Sequence, residues 1–232
     1  MISVVVETWN CKGELAPLRI LLAKLRPQLG DAELVITHSI IPTSLQRELA
    51  PEAQWLELPP TAGYYDHKNA GFAASRGEQI AFVDGDCEPS ETWLARLTAP
   101  FATGARVVAG FTSYAGPLAA LANELDFPVF ADTPGTVRNF FANNVAFTRD
   151  AFAGYPALPM FHGQCQVAGL ALHAAHVPIT HAPEAQVIHA WPESMRAWLA
   201  VRLLRGADTQ SLLPHVLRHY VPRVARVTDH LG

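Results

Sequence analysis

Cysteine is scarce in this 232-residue chain: Cys11, Cys87 and Cys165 are odd in number, widely spaced and form no Cys-x-x-Cys pair. That argues against a disulfide framework or a structural zinc site and fits a reducing, cytoplasmic setting. Long apolar runs are also missing, since no stretch reaches membrane-spanning length without charges. The opening Ile2-Ser3-Val4-Val5-Val6 lacks the basic lead of a signal peptide. Two phosphate-binding signatures are absent as well. No Gly-x-Gly-x-x-Gly follows the first apolar run, which argues against a dinucleotide dehydrogenase, and no Gly-Lys-Ser/Thr appears, which argues against a P-loop enzyme.

Hydrophobic residues make up 50% of the chain, ample for one sizeable core with at most a small appendage. The net charge of −4 is unevenly spread: residues 196–232 hold six arginines against Asp208 and Asp229, leaving 11 basic and 19 acidic residues elsewhere. A basic end of this kind suits phosphates or an anionic membrane surface, and it equally suits a solvated helix face. With the body acidic, nucleic-acid binding is not indicated.

Strand and helix patterns alternate through the first half. Ile2–Val6 reads as a strand, followed by polar Glu7–Gly13 and a helix over 14–28 with Leu18, Leu21, Leu22 and Leu25 at helical spacing. Strands over 33–37 and 54–58 flank a short helix over 42–49, and a further helix, with Gly71 and alanines on its packed face, falls between Gly63 and Gly77. This rhythm predicts right-handed crossovers and a mostly parallel sheet. A helix capped by Ser90 and a strand over 106–110 come next, then an irregular loop-and-helix insertion over 112–136. Helical periodicity returns over 164–175, and Val187-Ile188-His189 reads as a late strand end. Two amphipathic helices are predicted over 193–206 and 211–221, packed on the body or lying on a membrane.

The organising stretch is Gln79–Pro89. Gln79-Ile80-Ala81-Phe82-Val83 is too short for a helix and reads as a buried strand, delivering Asp84-Gly85-Asp86 to its C-terminal edge, where ligands of open α/β sheets collect. Two carboxylates so close suit a hard divalent cation bridging to phosphate; the competing reading is an acidic turn.

In order and spacing these pieces resemble glycosyltransferase family 2, enzymes of the GT-A fold that use nucleotide-sugar donors. The resemblance runs from Ile2 to about Gly206 and rests on Glu7-Thr8-Trp9-Asn10, Lys68-Asn69-Ala70-Gly71, Asp84-Gly85-Asp86, Asn143-Asn144-Val145-Ala146-Phe147 and Pro183–His189. It implies a GT-A (Rossmann-like), mostly parallel sheet flanked by helices over 1–193, with a basic helical extension over 194–232. It also implies a nucleoside-diphosphate sugar donor and Mn²⁺ or Mg²⁺, with Asp86 and His189 as metal ligands and Asp84 nearer the donor's ribose and sugar. Glu7, Thr8, Asn10, Lys68 and Asn69 would line the donor pocket. The acceptor, a lipid carrier, a glycan or a small molecule, is left open, as is contact with the inner face of a membrane.

Two departures stand out. Relatives end the second strand in an acid that reads the base, where this chain has Ile36-Thr37-His38-Ser39. Relatives also carry Glu-Asp at a helix start, one of them the catalytic base, where this chain has His162-Gly163-Gln164-Cys165. A glutamine or a neutral thiol cannot replace a carboxylate base. His162 is therefore one candidate base, Asp126 or Asp132 another, and a non-catalytic nucleotide-sugar-binding module is the alternative function. A nucleotidyltransferase is disfavoured, because Glu7–Gly13 is not a Gly-rich basic loop.

Overall fold

The computed structural model describes residues 1–116, 119–158, 162–191 and 194–220. Its first half follows the predicted alternation: β1 (Ile2–Glu7), α1 (Leu15–Leu29), β2 (Glu33–His38), α2 (Thr43–Leu49), β3 (Gln54–Glu57), α3 (Tyr64–Ala74) and β4 (Gln79–Asp84). There follow β5 (Cys87–Pro89), α4 (Trp93–Thr98), β6 (Val107–Tyr114), α5 (Ala119–Asp126), β7 (Thr136–Val137) and β8 (Asn144–Thr148). The chain continues through α6 (Gln164–Ala174), β9 (Ile179–His189) and α7 (Met195–Tyr220). All nine strands among the described residues join one sheet in the order β3-β2-β1-β4-β8-β6-β9-β5, with β7 paired to β9.

Period-2 alternation divides the core between the sheet's two faces. Val4, Val6, Ile36 and Val83 turn toward Leu18, Leu21, Leu22 and Leu25 of α1 and toward Trp93 of α4. Val5, Val35, Ile80 and Phe82 turn the other way, to Tyr65, Phe152, Tyr155 and Leu172. Each such side chain, fully buried, contributes roughly 1.5–3 kcal/mol of transfer free energy. Gly71 lets α3 lie close on the sheet, since a Cβ there would sit 2.4 Å from Val5 Cγ1.

The sheet is parallel from β3 to β4, but β8 enters antiparallel between β4 and β6, so the second half is mixed. Residues 87–89, read in the sequence as the end of the acidic turn before a helix capped by Ser90, form β5 through a ladder to residues 187–189 of β9. The helix begins only at Trp93, after Thr92. The strand expected to stop at Gly110 continues to Tyr114 by shifting register at Gly110/Phe111 and pairing with the second half of β9.

The two predicted C-terminal helices are one, α7. Glycine inside a helix costs only about 1 kcal/mol, and Thr209 Oγ1 closes the turn after Gly206 by donating to Arg205 O at 2.8 Å. Glu193 and residues 221–232 of the predicted extension lie outside the described residues.

Candidate active site

Strand order reverses at β1, which has β2 on one side and β4 on the other, so a crevice opens beyond the C-terminal ends of β1 and β4. Register makes Glu7 and Asp84 direct partners at that edge. Gly85 follows, its N–H donating to Glu7 O at 2.7 Å. A Cβ there would lie 2.8 Å from both Glu7 O and Cys11 Sγ, so only glycine lets the chain turn this close to β1.

Asp84 is enclosed and fully engaged. Lys68 Nζ lies 2.6 Å from its Oδ1, and the two side chains are 0% and 2% exposed. Tyr64 Oη donates at 3.0 Å, and Asn10 Nδ2 donates to Oδ2 at 3.0 Å and to Glu7 Oε1 at 3.1 Å. Tyr64, Lys68 and Gly71 recur at helical spacing, so one face of α3 both packs on the sheet and supplies these donors. Burial, and then the negative Asp84 beside it, push the Glu7 carboxyl well above the usual carboxylate range.

Asp86 differs. Its Oδ1 is buried and has no hydrogen-bond partner, an unusual state for a carboxylate oxygen. The ring of His189 stands beside it, its Nε2 3.7 Å from Asp86 Oδ1 and 4.0 Å from Asp84 Oδ2. His189 Nδ1 is 2.9 Å from Ala190 O, which places the proton of the neutral ring on Nδ1 and turns a lone pair on Nε2 toward the acids. Burial raises the Asp86 pKa, with His189 opposing the rise and Asp84 adding to it. Tyr114 and Phe127 wall the imidazole, their ring centroids 5.7 and 5.8 Å away. A buried unpartnered carboxylate oxygen facing an imidazole lone pair is a donor set that fits a divalent cation.

The family model Glycosyl transferase family 2 matches residues 47–168, just over half of the chain. The chain belongs to glycosyltransferase family 2.

Solved structures of the same fold include a mannosyltransferase from Pyrobaculum calidifontis, in complex with GDP-Man and Mn²⁺. It has a TM-score of 0.68 and 19% identity, with 94% of this chain and 63% of that one covered. The glucosyl-3-phosphoglycerate synthase of Mycobacterium tuberculosis, in complex with Mn²⁺, UDP and phosphoglyceric acid, gives 0.62 and 20%, covering 94% and 78%. S. aureus TarS 1–349 gives 0.61 and 15%, covering 97% and 67%. This chain thus spans less than two thirds of the Pyrobaculum protein's length. No curated protein matches it in sequence. The architecture is the GT-A arrangement of these glycosyltransferases.

Against that family frame, the remaining predicted residues separate. Thr8 Oγ1 donates to Thr37 O at 3.0 Å, tying β1 to β2. Asn69 is bound to the main chain of Tyr155 through both its amide groups, at 2.9 and 2.7 Å. Arg76 pairs with Glu33 near the opposite ends of the strands. Asn144 receives Trp93 Nε1 at 2.9 Å and donates to Phe111 O and Ala185 O, so that half of the Asn143-Asn144 motif braces the sheet. His38 is buried, its Nδ1 accepting from Ile41 N at 3.2 Å, and it presents no acid at the base-reading position.

Asp126 accepts from Arg202 and Arg205 at 2.6 Å and from Trp198 Nε1 at 2.8 Å, and Asp132 pairs with Arg138. Both acids suggested as alternative bases are thus engaged with arginines. At the start of α6, Gln164 is buried and burial raises the Cys165 thiol's pKa, so neither offers a base. His162, beside them, meets Asp208 of α7: its main-chain N–H donates to Asp208 Oδ2 at 2.7 Å, with Nδ1 3.3 Å from the same oxygen. Burial lowers the His162 pKa, favouring the neutral ring.

Sequence reasoning missed Tyr64, Asp208 and the Tyr114/Phe127 wall. Tyr64 could have been found as the residue four before Lys68; the others arrive from distant elements and left no local signal. A cleft at the other end of the sheet, lined by Arg26, Glu33, Glu52 and Arg76, has these charges already paired with one another.

Proposed function

We propose that this chain is a metal-dependent transferase that moves a sugar from a nucleoside-diphosphate sugar to an acceptor hydroxyl. One observation carries the reading: the unpartnered Asp86 Oδ1 faces the lone pair of His189 Nε2 at 3.7 Å, at the reversal point of the sheet. Family membership supports it, as do the nucleotide and Mn²⁺ complexes of the Pyrobaculum and Mycobacterium proteins. Asp86 and His189 would hold Mn²⁺ or Mg²⁺. Such an ion supplies charge neutralisation for the departing diphosphate.

In this reading Asp84 orients the donor's ribose and sugar. Lys68, Tyr64 and Asn10 fix its position, and Lys68 offsets one of the negative charges of Glu7, Asp84 and Asp86. Glu7 and Lys68 have no exposed surface, so in this reading their effect on the donor is indirect, through the shape and charge of the Asp84-Gly85-Asp86 turn. Thr8 and Asn69 shape the pocket by tying its walls. His162 takes the acceptor's proton, with Asp208 holding the ring so that Nε2 is the basic nitrogen.

In this reading residues 1–193 are the transferase body and 194–232 an extension whose described part is α7. Met195, Leu199 and Leu203 make an exposed stripe on α7 beside the arginines, a surface suited to peripheral contact with an anionic bilayer. No helix among the described residues is long and apolar enough to cross a membrane. Loss of flotation with anionic liposomes when Met195, Leu199 and Leu203 are together replaced by serine is the result this contact requires.

Gln164 and Cys165 in place of the family's Glu-Asp favour a second reading, a module that binds donor without transferring it. The two separate in one experiment. A thermal-shift panel of UDP-, GDP- and dTDP-sugars with and without Mn²⁺ identifies the donor, and hydrolysis or transfer is then measured for wild type and Asp86→Ala. Metal-dependent turnover lost in the variant supports the transferase; equal inertness despite tight nucleotide binding leaves the module.

A further inference from the structure

Cys87 follows Asp86 directly and is fully buried. A core cysteine is ordinarily only a small apolar group. Here it is the register partner of His189 across the β5–β9 ladder, which puts the two side chains on the same face of the sheet. Asp86 lies in the turn before β5, so strand alternation does not force its side chain away from that of Cys87. As a result, one donor atom from each of Asp86, Cys87 and His189 falls within 4.8 Å of the others, with Asp86 Oδ1 unpartnered among them.

We propose that Cys87 is a third protein ligand of the cation site, and that it tunes the site toward thiophilic divalent ions, Zn²⁺ and Co²⁺, and away from Mg²⁺. This rests on the proposed metal role of Asp86 and His189. Carboxylate oxygen suits Mg²⁺ and Mn²⁺ and imidazole already leans toward Zn²⁺, and a thiolate sulfur added to them shifts the set further toward the softer ions. One carboxylate, one imidazole and one thiolate supply three protein ligands and leave a position for a diphosphate oxygen, the arrangement of open catalytic zinc sites. On ligation the S–H bond breaks, the electron pair stays on sulfur to form the metal–sulfur bond, and the proton leaves to solvent. No oxidant or reductant is needed.

Cobalt tests this independently of turnover. Purified protein is titrated with Co²⁺, alone and with UDP or GDP, and its absorption spectrum recorded. The proposal requires the near-ultraviolet sulfur-to-cobalt charge-transfer band in wild type, retained in Cys11→Ser and Cys165→Ser and lost in Cys87→Ser. The last variant should bind Co²⁺ about tenfold or more weakly, with little change for Mg²⁺. Visible cobalt bands that depend on Asp86 and His189, without the sulfur band in wild type, overturn the Cys87 assignment and leave the metal reading standing. No cobalt binding in any condition overturns both. Because the deciding spectrum is that of the wild type, a folding defect in Cys87→Ser does not block the test, and Cys87→Ala serves as a second variant.

Discussion

Lys68 Nζ sits 2.6 Å from Asp84 Oδ1, with essentially no exposed surface on either side chain. The pair links the one buried lysine of α3 to the first acid of the Asp84-Gly85-Asp86 turn. Replacing Lys68 by methionine leaves a buried carboxylate beside Glu7 without its cation, and should cost about 3–5 kcal/mol in urea unfolding. Adding Asp84→Asn to that variant should recover part of the loss. A wild-type midpoint for Lys68→Met would show that the pair contributes nothing to stability.

Asp86→Ala is expected to behave in the opposite way. It removes a buried oxygen that has no partner, so the ligand-free protein should melt at or above the wild-type temperature. The added stabilisation by Mn²⁺ with UDP or GDP should vanish, because nothing then ties binding to the folded state. Differential scanning fluorimetry reads both effects.

Asp126 anchors α7 by accepting from Arg202, Arg205 and Trp198. In Asp126→Asn two guanidinium groups lose their counter-charge. Amide exchange across residues 195–210 should accelerate by about tenfold or more, while the β1 and β4 amides stay protected, since each lost charged hydrogen bond is worth about 1.5–3 kcal/mol. Uniform exchange through the whole chain would instead mean that α7 and the sheet unfold as one unit.

His38 supplies a pH dependence. Burial lowers its pKa from the ordinary 6.5, and its Nδ1 lone pair is taken by the Ile41 N–H. A histidine with a lowered folded value binds fewer protons folded than unfolded. Its contribution is therefore complete above pH 6.5 and is lost as pH falls toward the folded value. The melting temperature should drop between pH 7.5 and 5.5, and His38→Asn should flatten that part of the profile. An unchanged slope in the variant would place the dependence on another group.

For the proposed base, His162→Ala should lower the transfer rate by about 10²–10⁴-fold with nucleotide binding intact. Asp208→Asn should lower kcat less, without raising the donor KM, and should move the acidic limb of the pH–rate profile, because it changes which nitrogen of His162 carries the proton. Full activity in His162→Ala would remove the base assignment.

Local patterns were enough to place the first four strands, their helices and the acidic turn, because a buried strand or an amphipathic helix writes its period into consecutive residues. The same patterns set the cap of α4 at Ser90 rather than Thr92, did not register 87–89 as a strand because its ladder partners lie about a hundred residues away, and divided α7, where docking through Trp198, Arg202 and Arg205 carries the helix past Gly206. Sequence also singled out Asp84 and Asp86 through residue type and order, and His189 through the family resemblance. It had no means of telling that Asp84 is fully bonded and Asp86 is not, since their partners come from α3, the turn after β1 and the end of β9. By itself, then, the sequence determined the α/β frame and the family to which the chain belongs. The tertiary structure alone decided which acid faces the imidazole unpaired, that Cys87 joins it, and that α7 returns Asp208 to His162, because those contacts join residues far apart along the chain.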